Sequence, residues 1–187
     1  MLAFSIDQNT GALSPVPGSP FSLGVAQIHA DPSGKYLLGV SDIADDMGVV
    51  NDPHISVFAI DPTTGAPAAV AGSPFATVSA GFDFVITPND KFVYVTGIDT
   101  STGSLGAIEG YELDSTSGAL TAISGSPFAG FFGALCKIDP AGGVLFCDVD
   151  DAGDGFTVFN VNSTTGILTQ GPSLTVGNLA FAWAVAN

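Results

Sequence analysis

Few side chains in this 187-residue sequence can do chemistry: two His and three Lys, with no Arg, stand against 18 Asp and Glu, giving a formal charge of −15. His29 is the candidate general base, because an unperturbed imidazole titrates close to neutral pH. Asp42 is the carboxylate that would orient it. His54 follows Asn51-Asp52-Pro53 and reads as a surface residue. Asp148, Asp150, Asp151 and Asp154 surround Gly153, and hard oxygen ligands in a Gly-containing loop suit Ca²⁺. Their spacing departs from the D-x-[DN]-x-[DN]-G loop, and acidic loops also serve as plain solvated surface. Cys136 and Cys147 have no further cysteine with which to build a zinc site. The sequence contains no Ser-His-Asp order, phosphate loop or dinucleotide fingerprint.

The elements that must position these groups are written as a repeat. Phe4-Ser-Ile-Asp7 leads to Gly11-Ala-Leu13, Phe58-Ala-Ile-Asp61 to Gly65-Ala-Pro67, Tyr111-Glu-Leu-Asp114 to Gly118-Ala-Leu120, and Phe159-Asn-Val-Asn162 to Gly166-Ile-Leu168. In each copy an Asp or Asn side chain can accept the backbone N–H two residues on, and a Gly four residues later supplies a positive φ, so each is a hairpin turn. The glycines at 11, 65, 118 and 166 recur at intervals of 54, 53 and 48 residues, the size of a propeller blade. Two phrases keep step with them: Gly-Ser-Pro-Phe at 18–21, 72–75 and 125–128, and Asp31-Pro-Ser-Gly34, Thr87-Pro-Asn-Asp90 and Asp139-Pro-Ala-Gly142. In the latter, Pro presets φ for a type I turn and strand-like runs come next.

Each period therefore holds four strands, A to D. In the second period A is expected at about 82–87, B at 91–96, C at 108–113 and D at 119–123. Four antiparallel strands per period, apolar on both faces because blades stack face to face, predict an all-β propeller. A two-sheet sandwich is the competing reading, but it has no need of equal periods. One partial propeller domain over 1–187 is expected, with strands C and D at 1–21, complete blades at 27–75, 82–128 and 134–174, and a lone strand A at 179–187.

This scheme places the chemistry. Strand A of a propeller lines the central channel, and three residues before each turn proline it carries His29, Val85 and Lys137. The B–C connections, all at one end, collect Asp42, Asp45, Asp46, Asp52, Asp99, Asp148, Asp150, Asp151 and Asp154 into an acidic rim. If Asp139 faces Val144 across the third A–B turn, Cys136 faces Cys147, either as a cross-strand disulfide or as two buried thiols.

The aromatic-x-aliphatic-Asp, Thr-Gly-Ala-Leu, Gly-Ser-Pro-Phe and Tyr94-Val-Thr phrases together resemble the lactonase-type seven-bladed propellers, the 6-phosphogluconolactonase-like group with its Tyr-Val-Thr-Asn repeats. The resemblance covers essentially the whole chain and implies the fold. It implies lactone hydrolysis only where channel His, Glu and Arg groups accompany the fold, and this sequence has no Arg. Two classes of function are open: a surface that binds a protein, glycan, small molecule or cation, or a hydrolase of a neutral or cationic lactone with His29 as base and Asp42 orienting it. Calcium is the one cofactor the residues suggest.

Charge and composition narrow the partners. An excess of carboxylates argues against nucleic acid and anionic membranes, which require clustered cations, and no apolar run is long enough for a transmembrane helix. Scarce Lys with abundant Gly, Ser, Thr and Asp fits an exported bacterial protein, periplasmic or secreted. The strand count is about half that of a seven-bladed ring and leaves the closing blade without its strand B. The chain is thus expected either to be a segment of a longer propeller or to associate with itself through open blade edges.

Overall fold

The computed structural model describes residues 1–40, 53–99, 104–128, 135–149 and 155–175, and these are all strand, turn and coil. A two-stranded hairpin, β1 (Phe4–Ile6) and β2 (Leu13–Pro15), comes first. The first blade holds β3 (Gln27–Ala30), β4 (Tyr36–Val40), β5 (His54–Ile60) and β6 (Pro67–Ala69), with β7 (Phe75–Ala76) extending its outer edge against β5. The second is β8 (Ser79–Ile86), β9 (Phe92–Asp99), β10 (Ser104–Leu113) and β11 (Leu120–Ala122). The third is β12 (Cys136–Ile138), β13 (Val144–Val149), β14 (Gly155–Val161) and β15 (Leu168–Thr175). Within each blade the strands pair antiparallel in chain order, which is the up-and-down blade of a β-propeller. The segment 179–187 expected to add a further strand A lies outside the described residues.

Strand β9 shows why the sequence is apolar on both faces. Phe92, Val93, Tyr94 and Val95 are all buried, and alternation sends them to opposite sides. Phe92 and Tyr94 join Ile108, Leu145 and Phe159 between the second and third blades, while Val93 and Val95 join Leu38, Ile55 and Val57 between the first and second. Strands β8, β9 and β10 run farther than the sequence pattern suggests. Pairing of β9 with β10 continues to Ser104 opposite Asp99.

The repeated phrases are turn chemistry. In the C–D hairpins Asp7, Asp61, Asp114 and Asn162 each accept the backbone N–H groups two and three residues on. The glycine at the end of each turn has φ between 70° and 76°. In the A–B turns Asp31 accepts from Tyr36 N–H, the Thr87 hydroxyl from Phe92 N–H, and Asp139 from Val144 N–H. Gly-Ser-Pro-Phe ends each outer strand: the hydroxyls of Ser19, Ser73 and Ser126 accept from Ala3, Val57 and Gly110 N–H, satisfying strand C where strand D has departed. Cys136 pairs with Cys147 in register, and the two form a disulfide.

The C–D turns make a prediction about acid. Backbone N–H donation from Thr10, Thr64 and Ser117 holds the Asp7, Asp61 and Asp114 carboxyls below the ordinary carboxylate range. A depressed folded-state pKa contributes stability that is present above the unfolded value of about 3.9 and lost as pH falls through the folded one. The melting temperature should therefore fall as pH drops below about 4, less steeply in an Asp7→Asn, Asp61→Asn, Asp114→Asn variant. Asn162→Asp should steepen it. Parallel melting-temperature profiles for these variants and the parent would contradict the assignment.

Candidate functional site

The inner edge of the blades is where their first strands meet. Strand β8 carries a bulge: pairing with β9 steps from Gly81–Gly97 to Asp83–Thr96, which leaves Phe82 extra and re-aims the rest of the strand. Asp83, a charged residue within Gly81-Phe-Asp-Phe-Val85, is held there from both sides. Thr96 Oγ1 donates to the Asp83 carbonyl at 3.3 Å, and Asp83 Oδ1 accepts the Phe84 N–H at 2.9 Å.

Neighbouring blades supply the partners of this carboxylate. Lys137 Nζ, on β12, donates to Asp83 Oδ2 at 2.9 Å. His29 Nε2, on β3, stands 3.7 Å from Asp83 Oδ1. The His29 ring meets Phe84 edge-on, with centroids 4.8 Å apart. Asp83 is almost wholly buried, whereas the His29 and Lys137 side chains keep 46% and 38% of their surface exposed. Three first strands from three successive blades thus place a base, a carboxylate and a cation in one cluster, with the imidazole and the ammonium open to solvent. Such a cluster can accept hydrogen bonds from hydroxyls and donate hydrogen bonds to them.

His29, Val85 and Lys137, which share a slot in the repeat, part company in space. Val85 is buried in the core between the second and third blades, while the other two converge on Asp83, two residues before it. Asp42 lies outside the described residues; among the described residues, the carboxylate beside His29 is Asp83. Sequence reading missed Asp83; the available signal was a charged residue between two phenylalanines on an inner strand. Of the four residues expected to hold Ca²⁺, Asp148 is described, and its Oδ1 accepts the Leu135 N–H at 2.7 Å, closing the end of the β12–β13 pair. Asp150, Asp151 and Asp154 lie outside the described residues. No group of three or more metal-ligating side chains forms among the described residues. His54 is half-buried at the start of β5, opposite Ala76. Lys91 donates to the Thr164 carbonyl at 2.7 Å and lies over the Phe92 ring, so it ties the second blade to the third.

Comparison with solved structures agrees with this blade architecture. A Bacteroides uniformis protein, named provisionally as a 6-phosphogluconolactonase, superposes with a TM-score of 0.65 at 21% identity, covering 93% of this chain and 51% of its own. The periplasmic gluconolactonase of Pseudomonas aeruginosa superposes with a TM-score of 0.66 at 16% identity, covering 96% and 51%. A Lactobacillus plantarum protein gives 0.65 at 16% identity, covering 92% and 48%. The fold is that of the lactonase-type β-propellers. The chain spans about half the length of these structures. No family model and no curated protein matches the sequence. His29, Asp83 and Lys137 come together from β3, β8 and β12, the first strands of the three blades.

Proposed function

We propose that this lactonase-type propeller chain binds a small, neutral, hydroxyl-rich ligand at the inner edge of its blades, through His29, Asp83 and Lys137, and does not turn over phosphorylated sugar lactones. The observation that carries this reading is the buried Asp83 carboxylate, shared by His29 and Lys137 from the two flanking blades. Ligand hydroxyls have donors and acceptors to meet there. A phosphate has no guanidinium to clamp it. The one ammonium in the cluster is already committed to Asp83, and a formal charge of −15 repels a phosphosugar at long range.

A second reading, hydrolysis of a neutral lactone, is favoured by the imidazole standing beside a carboxylate. His29 would take a proton from water as the water oxygen attacks the lactone carbonyl carbon. The ring C–O bond would then break, the departing oxygen would be reprotonated, and a hydroxy acid would leave. Asp83 is the orienting group in that scheme.

Assays of the purified chain beside His29→Ala test both readings. Glucose should shift the His29 imidazole NMR signals, identified by their loss in His29→Ala, and should leave those of His54 unmoved. Hydrolysis of 6-phosphogluconolactone should stay at the uncatalysed rate. Turnover of the phosphosugar lactone well above that rate, abolished in His29→Ala, would overturn the proposal. Turnover of gluconolactone with the same dependence would establish the second reading.

A further inference from the structure

The third blade departs from the other two at one facing pair beside the site. Where the first two strands of each blade run opposite one another, Ile28 faces Gly39 and Phe84 faces Val95, but Cys136 faces Cys147 and the two are bonded. The next residue along each first strand is the slot that holds His29, Val85 and Lys137. The disulfide therefore adjoins the residue that supplies a cation to Asp83.

Lys137 stands on the shortest of the three first strands among the described residues: β12 has three residues, against four in β3 and eight in β8. In its sheet β12 is an edge strand, whereas β13 is paired on both sides. Three residues carry little pattern with which to specify register, and a slip of one residue would turn Lys137 toward the core and Cys136 and Ile138 away from it. Cys136 and Cys147 are buried with Tyr94, Leu145 and Phe159 in the core between the second and third blades, and Ile138 packs against them. A bond between directly facing residues forbids the slip, because any other register would separate the two sulfurs. It ties the edge strand to the strand that the rest of the blade holds.

We propose that the disulfide between Cys136 and Cys147 is a positioning element of the His29, Asp83 and Lys137 site, locking the register of β12 so that Lys137 reaches Asp83, and that the chain binds its hydroxyl-rich ligand at full strength only with this bond formed. The inference rests on the reading of that cluster as a binding site. Both cysteines are almost wholly buried, so a reductant does not reach the bond in the folded chain. The dependence is set when the chain folds.

Two forms of the purified chain lack the bond: Cys136→Val with Cys147→Val, which keeps the site apolar, and the parent refolded in reductant, which keeps both sulfurs. Each should fold with unchanged circular dichroism. The Lys137 ammonium NMR signal, identified by its loss in Lys137→Met, is slowed in solvent exchange by donation to Asp83 and should broaden beyond detection in both forms. That readout needs no ligand. The response of His29 to glucose should weaken by about tenfold, as one charge-assisted hydrogen bond is lost, and adding Lys137→Met to the cysteine pair should weaken it no further. Gly118→Ala, which strains the junction between the first and second blades, should leave the Lys137 signal in place and so separates register from stability. An unchanged Lys137 signal in either unbonded form, its loss in Gly118→Ala as well, or failure of both unbonded forms to fold would overturn the proposal. A Lys137 signal that depends on the bond in a chain whose His29 does not respond to glucose would instead overturn the binding reading and uphold the register lock.

Discussion

Gly166→Ala is expected to destabilise the chain by about 2–4 kcal/mol, a large loss for the addition of one methyl group. Gly166 ends the last C–D turn with φ of 70°, where any L side chain is strained by about 1–2 kcal/mol. A Cβ built there would lie 2.6 Å from the Phe92 ring and from Ile123, both buried in the core of the preceding blade. The carbonyl of the same residue accepts the Tyr94 hydroxyl at 2.8 Å, so a shift that relieved the clash would also disturb a buried hydrogen bond. Burial drives the Tyr94 hydroxyl pKa well above its ordinary value, so it remains a donor throughout the accessible pH range. Gly118→Ala should behave similarly, because its Cβ would lie 2.7 Å from the Tyr36 ring. Gly11 has the same backbone sign, φ of 71°, but meets nothing within 4 Å, so Gly11→Ala should cost only the conformational term of about 1–2 kcal/mol. Denaturant titrations of the three variants measure the contrast. Equal losses at Gly11 and Gly166 would place the whole cost in the backbone and show that the C–D turns are not contact points between blades.

These turns were legible in the sequence because their chemistry is local. An Asp or Asn that accepts from its own next residues and a Gly that adopts positive φ need no tertiary context, which is why Asp61 with Gly65 and Asn162 with Gly166 read correctly. The register of Cys136 against Cys147 came from the A–B turn by counting. Whether the two were bonded did not, since a facing pair of buried thiols has the same spacing. The serines of Gly-Ser-Pro-Phe were visible as a pattern but not as acceptors, because the N–H groups they serve are 16 residues away. The site was legible only in part. His29 and Lys137 stood out as polar residues in a slot where Val85 shows that an apolar side chain packs. Their meeting point did not, because it depends on a bulge at Phe82 and on three blades converging, and neither leaves a periodic trace. Asp42, the carboxylate expected to orient His29, lies outside the described residues.

Asp83 is where binding and folding should separate most clearly. Its carboxylate is nearly buried, so removing its cation is expected to be worse than removing the carboxylate charge itself. Lys137→Met leaves Asp83 with the Phe84 N–H and an imidazole 3.7 Å away, and should cost about 1–3 kcal/mol. The lower end is expected, because the ammonium is more than a third exposed and water screens part of the interaction. Asp83→Asn keeps an oxygen for the Phe84 N–H and the shape of the bulge, so its melting temperature should stay close to that of the parent. Its response at His29 to glucose should nevertheless weaken by about tenfold or more, since one charge-assisted hydrogen bond of about 1.5–3 kcal/mol is lost. Combining the two substitutions should recover part of the Lys137→Met loss, because no uncompensated carboxylate remains, and a double-mutant cycle isolates that coupling. Strict additivity would mean that Asp83 and Lys137 do not interact in solution. An Asp83→Asn chain that binds glucose as the parent does would show that the carboxylate organises the strands and takes no part in recognition.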